Sequence, residues 1–134
     1  MLTGNPASAE VFIKKAMRIT PFHPAWYANR LSEALIMTGK FGEARSVLTE
    51  LMEKGSDGGV NLREQSRALL SLAVIDRLNG DDAEGKKTIE RLRALDPKFS
   101  VATVHGYLGM VSDKAFLQSY ITTAQEFGLP DVGS

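Results

Sequence analysis

The chain has 134 residues, of which 43% are hydrophobic and 24% charged, as is typical of one soluble globular domain. Sixteen basic residues balance sixteen acidic ones, so no basic surplus favours nucleic acid as a partner. The absence of cysteine excludes disulfides, thiolate metal sites and cysteine nucleophiles. No apolar run reaches the roughly 18 residues of a membrane span, and Met1 to Pro6 lack a signal-peptide pattern. We therefore expect a cytoplasmic protein.

Apolar residues recur at helical spacing almost throughout, and this predicts an all-α fold of about seven helices. The first predicted helix covers residues 6–19. Asn5 is a suitable N-cap, and Pro6 suits the first helical position because its missing N–H has no partner there. Thr20 precedes Pro21, which ends the helix because a residue before proline is forced out of the α region.

The second predicted helix covers residues 24–38 and stops at Gly39, and the third covers 41–54 and stops at Gly55. Residues 55–60 read Gly-Ser-Asp-Gly-Gly-Val and predict a flexible insertion. A phosphate-binding loop is disfavoured because no Gly-Lys-Ser/Thr follows and no strand precedes.

The fourth and fifth predicted helices begin with the same capping pattern. Asn61 and Asp81 are each followed three residues later by a glutamate, Glu64 and Glu84. The fourth helix extends to residue 78, and the fifth ends before the Asp-Pro pair at 96–97. The capping role also explains the acidic cluster at 81–84 better than acid–base chemistry does.

A shorter sixth helix is predicted near residues 100–108. The seventh begins after Ser112, a candidate N-cap, and runs to Phe127. The Gly-Leu-Pro sequence at 128–130 stops it, and the tail at 131–134 is expected to fray.

A frame of small and large apolar residues recurs three times along the chain. Its members are Ala9, Ile13, Ala16 and Pro21, then Gly39, Ala44, Leu48 and Leu51, then Gly80, Gly85, Ile89, Leu92 and Pro97. The helices before the second and third copies fit less regularly, with Leu31, Ser32 and Leu35 in one and Leu72, Ala73 and Asp76 in the other. Paired helices with a recurring frame predict a solenoid of helix pairs.

The recurring frame resembles the second helix of the tetratricopeptide (TPR) repeat. Four sequence segments make the resemblance more specific, and these are PFHPAWY at 21–27, GKFGEA at 39–44, LDPKFS at 95–100 and EFGLP at 126–130. Their order is similar to the C-terminal TPR region of bacterial class III adenylate and guanylate cyclase-like proteins. The likeness extends from about Ala9 to Pro130.

The resemblance implies one TPR-like domain over residues 1–134. Residues 6–21 would be the second half of a truncated repeat, 24–56 and 61–97 two further repeats, and 99–130 the capping helices. Two features depart from the family pattern. The turn after Lys54 is longer and lacks a proline, and Gly85 replaces an alanine, which we expect to weaken its helix by about 0.5–1 kcal/mol.

The function implied is a protein-interaction or regulatory module without an active site or cofactor. No residue matches the metal-binding aspartates of a cyclase catalytic domain, so any cyclase activity would belong to a parent protein. The alternative is a structural spacer or dimerisation domain that docks onto a neighbouring domain. In a TPR the first helix of each pair lines the concave surface, and the residues expected there are Trp26, Asn29, Arg30, Glu33, Arg67, Leu70, Val74 and Arg77.

Other candidate sites have simpler explanations. His23 and His105 lack partners at metal-ligand spacing, which favours structural or surface roles for both. Glu50 and Glu53 lie three residues apart, as a carboxylate pair for acid–base work could. The first helix is apolar on more than one face, which predicts contact with an upstream domain or a second copy. The residues expected in that contact are Val11, Phe12, Met17 and Ile19.

Overall fold

The computed structural model describes residues 10–11, 13–15, 25–108 and 114–131. These ranges contain seven α-helices, one short 3-10 helix and no strand, which confirms the predicted all-α class. The helices are α1 (residues 10–11 and 13–15), α2 (Ala25–Met37), α3 (Phe41–Lys54), α4 (Leu62–Leu78), α5 (Asp82–Leu95), α6 (Val101–Leu108) and α7 (Lys114–Glu126), with the 3-10 helix at Ser56–Gly58.

The sequence placed most helix ends correctly because capping residues mark them. Both ends of α3 and both ends of α4 and α5 lie within one residue of prediction. The Asp81 carboxylate accepts a hydrogen bond from the Glu84 N–H at 3.3 Å, and the Asn61 side-chain oxygen accepts one from the Glu64 N–H at 2.9 Å. The predicted caps Asn5 and Ser112 lie outside the described residues, as does most of the predicted helix at 6–19.

The chain divides into two compact units, Met1–Ala68 and Leu69–Ser134. In the first unit α2 packs against α3 across a tight turn, and the buried side chains include Leu35, Leu48 and Leu51. In the second unit α6 packs against α7, and Tyr120 and Phe99 are among its largest buried side chains.

The turns from α2 to α3 and from α4 to α5 have the same backbone geometry. Gly39 has φ of 79° and Gly80 has φ of 80°, the left-handed conformation that glycine adopts without steric cost. The hydrogen bonds also match: Lys40 N–H to Leu35 O and Asp81 N–H to Asp76 O at 2.8 Å, and Gly39 N–H to Ile36 O and Gly80 N–H to Arg77 O at 3.1 Å. Each helix therefore ends in a Schellman motif, with the next helix beginning two residues after the glycine.

The apolar frame is buried in both helix pairs. Its members at the small position are Ala44 and Gly85, and those at the large positions are Leu48 and Leu51 in α3 and Ile89 and Leu92 in α5. The same sequence frame thus produces the same turn and the same buried stripe twice.

Gly85 has a packing reason that the sequence did not reveal. A Cβ atom at this position would approach the Phe127 ring, with Cζ at 2.9 Å and Cδ2 at 3.0 Å. Such contacts are too short for carbon atoms, so glycine lets the Phe127 ring lie directly against the α5 backbone. The expectation that this glycine only weakens α5 was incomplete, because its missing side chain makes room for an aromatic one.

Residues 55–60, predicted to be a flexible insertion, form a hydrogen-bonded turn. The Gly58 and Val60 N–H groups both donate to Gly55 O, at 3.2 and 3.0 Å, around the 3-10 helix. Val60 is buried, and its carbonyl accepts a hydrogen bond from Gln65 Nε2 at 2.7 Å. The glycine content suggested a flexible backbone, whereas the burial of Val60 and the hydrogen bond to its carbonyl fix the end of the turn.

The C-terminal segment is held by α6. Val101 N–H donates to Pro130 O at 2.9 Å, and Ala102 N–H donates to Asp131 O at 3.0 Å. These carbonyls satisfy two of the amides that a helix leaves unpaired at its N-terminus. Asp131 was expected to fray, and this part of the expectation is wrong because its carbonyl has a helical partner.

Candidate interaction surface

The candidate residues on α2 and α4 form a polar layer within the first unit. The Glu33 carboxylate accepts two hydrogen bonds from the Arg67 guanidinium, at 2.6 Å from Nε and 3.0 Å from Nη2. Arg30 Nη1 donates to the same carboxylate at 3.2 Å. Glu33 and Arg67 are 2% and 3% exposed, so their charged groups are paired with each other and are not accessible to a ligand.

Asn29 joins the same layer through Glu64. Its side-chain Nδ2 donates to the Glu64 backbone carbonyl at 3.0 Å and to the Glu64 carboxylate at 2.8 Å. Both bonds require an acceptor at Glu64, which fixes the orientation of the amide group. The Asn29 Oδ1 atom is buried and receives no hydrogen bond from the part of the chain that the structure describes.

The remaining candidates on these helices differ in their access to solvent. Leu70 and Val74 are fully buried. Arg77 is partly exposed and donates to the Glu126 carboxylate at 3.2 Å, and Arg30 is also partly exposed. The Trp26 side chain lies outside the described residues. Among the candidates whose side chains the structure describes, Arg30 and Arg77 are therefore the ones that reach the surface.

An ionic cluster joins α1 to the start of α3. The Glu10 carboxylate contacts Lys14 Nζ and Lys40 Nζ, each at 3.0 Å, and Lys14 Nζ also contacts Glu43. Hydrogen bonds from Lys14 and then Lys40 lower the pKa of Glu10 below its ordinary value. Hydrogen bonds to Glu43 and then Glu10 raise the pKa of Lys14. The four side chains thus hold α1 in its place by charge as well as by the buried Ile13.

The residues proposed for contact at α1 are described only in part. Val11 is 66% exposed, whereas Phe12, Met17 and Ile19 lie outside the described residues. Val11 is accessible to a second copy or an upstream domain, and the self-association hypothesis stays a prediction.

The side chains considered for chemistry do not converge in the described ranges. Those ranges hold no group of three His, Cys, Asp or Glu side chains placed to bind a metal ion. His105, Glu50 and Glu53 are exposed, and His23 lies outside the described residues. No helix within the same ranges is both long enough and apolar enough to cross a membrane.

Sequence reasoning missed the pairing among these polar residues. Glu33 and Arg67 were treated as separate surface positions, and the buried Ser71–Tyr120 hydroxyl pair, 2.7 Å apart, was not expected. For Glu33 and Arg67, the available signal was that two opposite charges lie on α2 and α4, each the first helix of a predicted repeat. The second pair had none, because serine and tyrosine are ordinary surface residues too.

Comparison of the chain with models of protein families, with curated proteins and with solved structures finds no match in any of the three.

Proposed function

We propose that the chain is a non-catalytic protein-interaction module of the TPR type. The observation that carries the proposal is the equivalence of the two helix hairpins, which share turn torsions, turn hydrogen bonds and a buried frame. Repeated helix pairs bury one face against their neighbours and leave an extended surface for proteins or peptides. The partner is a protein, a peptide or another domain of the same chain, and no cofactor is needed.

The parent of this module is a bacterial, cytoplasmic signalling protein of the nucleotide cyclase-like type, with the TPR region at its C-terminus. The proposal is supported by the order of the sequence segments at 21–27, 39–44, 95–100 and 126–130, which is similar to that of the cyclase-like proteins. The upstream sequence in the same reading frame tests the parentage. A cyclase-like catalytic domain there agrees with it, and an unrelated enzyme or a stop codon contradicts it.

Selection from a random-peptide display library tests the interaction function without knowledge of the partner. The proposal expects recovered peptides whose binding weakens in the variant Arg30→Ala. The matched control is Asp57→Ala, an exposed residue of the 3-10 helix that should leave binding unchanged. Failure to recover any peptide, or equal losses in both variants, counts against the interaction module.

A structural spacer is the second candidate, and the burial of the α2 and α4 positions favours it. Asn29, Glu33, Arg67, Leu70 and Val74 are all covered by the chain itself, which suits a rigid element better than an open groove. A dimer formed through α1 would belong to this alternative. Light scattering that shows a dimer, lost in Val11→Lys, would favour the spacer over the peptide-binding module.

A further inference from the structure

The turn between α4 and α5 contains the one Asn-Gly pair of the sequence, formed by Asn79 and Gly80. Both residues are exposed to solvent. In such a pair the glycine nitrogen can attack the side-chain amide of the asparagine, because glycine has no side chain to hinder the approach. The chain therefore carries a chemically reactive asparagine at the end of a helix.

The Asn79 side chain has no structural role in this turn. It forms no hydrogen bond to the part of the chain that the structure describes, whereas Asn29 and Asn61 are each hydrogen-bonded to Glu64. The first hairpin makes the same turn with Thr38 at the equivalent position. The turn geometry therefore does not require an asparagine, and the Asn79 amide is available for reaction.

The nitrogen that would attack this amide is held by the closed turn. The Gly80 N–H donates to Arg77 O at 3.1 Å. Next to it, the Asp81 N–H donates to Asp76 O at 2.8 Å. Attack requires the Gly80 nitrogen to lose its proton and to approach the Asn79 side chain, so its hydrogen bond has to break first. The reaction is therefore slow while the turn is closed and becomes faster when the turn opens.

We propose that Asn79 is a site of spontaneous deamidation whose rate is set by local opening of the α4–α5 turn. When the turn opens, the Gly80 nitrogen loses its proton to solvent base and forms a bond to Asn79 Cγ. The bond from Cγ to the side-chain nitrogen breaks, and that nitrogen takes a proton from solvent and leaves as ammonia. Water then opens the cyclic imide at either carbonyl, which gives aspartate or isoaspartate at position 79.

The product of this reaction hinders closure of the turn. A carboxylate at position 79 adds negative charge to the C-terminal end of α4, where the helix dipole is already negative, and lies close in sequence to Asp81 and Asp82. Isoaspartate also adds one carbon atom to the backbone between α4 and α5, which alters the spacing of the turn hydrogen bonds. Deamidation thus makes an opening of the turn irreversible, whether or not α2 binds a peptide.

The test compares the rate of deamidation at residue 79 in the folded chain and in a synthetic peptide of residues 75–83, at mildly alkaline pH. Peptide mapping by mass spectrometry locates the product. It also separates this product from any isoaspartate formed at Asp57, which precedes a glycine as well.

Two variants test whether the opening is local. Asp81→Ala removes the side-chain cap of α5, a 3.3 Å hydrogen bond from the Glu84 N–H, and should loosen the turn. The matched control Asn61→Ala removes the equivalent cap at the start of α4, far in sequence from the turn. A peptide of residues 75–83 with Asp81→Ala corrects for any change in the intrinsic rate.

We expect the peptide to be deamidated at least about tenfold faster than the folded chain, because opening of the turn breaks at least one hydrogen bond. Asp81→Ala should accelerate the folded chain about fivefold, the effect of losing one helix cap, with Asn61→Ala close to wild type. Equal rates in the chain and the peptide would overturn the proposal. Equal acceleration by the two variants would assign the reaction to global unfolding and would also overturn it. The same holds if residue 79 keeps its amide in wild type and Asp81→Ala while the peptide is converted.

Discussion

At the scale of single residues, Gly85 shows how a repeat position is adapted to its surroundings. The equivalent residue of the first hairpin is Ala44, which is fully buried, whereas position 85 faces the ring of Phe127. An alanine there would have to displace an aromatic side chain that is itself buried.

We predict that Gly85→Ala lowers the free energy of unfolding by about 1–3 kcal/mol, the usual cost of overpacking a close-packed site. Helix propensity alone would raise it, because alanine is the better helix former. Chemical denaturation measures the difference. The matched control is Gly106→Ala in α6, where a Cβ would meet no atom within 4 Å and stability should rise by about 0.5–1 kcal/mol. A stabilised Gly85→Ala variant would show that Phe127 can move away at little cost.

The recurring frame marked Gly85 as the small, inward-facing residue of α5, but it could not identify which side chain packs against it. The frame fixes which α5 residues face inward, because their spacing repeats that of α3. Nothing in the spacing links residue 85 to residue 127, since that contact depends on how α5 and α7 meet in the folded unit. Local patterns therefore predicted burial, whereas the specific packing partner required the structure.

At the scale of the helices, the Glu33–Arg67 ion pair joins α2 to α4. Both side chains are almost fully buried, so loss of Arg67 removes two hydrogen bonds from a buried carboxylate that keeps, within the described residues, only the 3.2 Å contact with Arg30. We predict that Arg67→Met lowers the free energy of unfolding by about 1–3 kcal/mol. The double variant Glu33→Leu/Arg67→Met should lose much less than the sum of the single variants.

The partly exposed Arg77–Glu126 pair is the comparison for this double-mutant cycle. Its coupling energy should be at most about 1 kcal/mol, because solvent screens exposed pairs. Similar coupling energies for the two pairs would mean that burial does not strengthen the Glu33–Arg67 interaction.

The docking of α1 should depend on pH at both ends of the scale. Glu10 has a pKa below its ordinary 4.5, so its contribution is present above that value and is lost as pH falls through the lowered pKa. Lys14 has a pKa above its ordinary 10.5, so its contribution is present below that value and is lost as pH rises through the raised pKa. We predict that α1 separates from α3 both at low pH and at high pH.

A distance measurement between labels tests this prediction. The chain has no cysteine, so Val11→Cys and Ser46→Cys place two labels on exposed positions of α1 and α3. Their separation should increase at low pH in the wild-type background, and Glu10→Gln should remove that acid-dependent change. An acid transition of the same size in Glu10→Gln would assign it to another carboxylate.

Helix ends were the most predictable feature at this scale, because each is marked by one or two residues. Gly39, Gly80 and Gly128 all take positive φ where the sequence predicted helix stops. The turn at 55–60 was misjudged, because composition does not show that Val60 is buried. The polar layer of α2 and α4 could be located from helical spacing, but its internal pairing could not.

At the scale of the whole molecule, we predict that the purified chain makes neither cyclic AMP nor cyclic GMP from ATP or GTP with magnesium or manganese. The sequence contains no residues that match a cyclase catalytic centre, and the resemblance to cyclase-like proteins covers only their TPR region. Chromatographic detection of the cyclic products checks this. Turnover above that of a heat-denatured sample would assign an active site to this chain.

The central claim, that the chain is a protein-interaction module, is tested most directly by mapping a bound peptide with NMR. A peptide recovered by display is titrated into the isotope-labelled protein, and the backbone amide shifts are followed. The account predicts that the largest changes fall around Arg30 on α2, with little change at Asp57. Saturable binding that leaves the α2 amides unmoved, or the absence of any binding peptide, would contradict it.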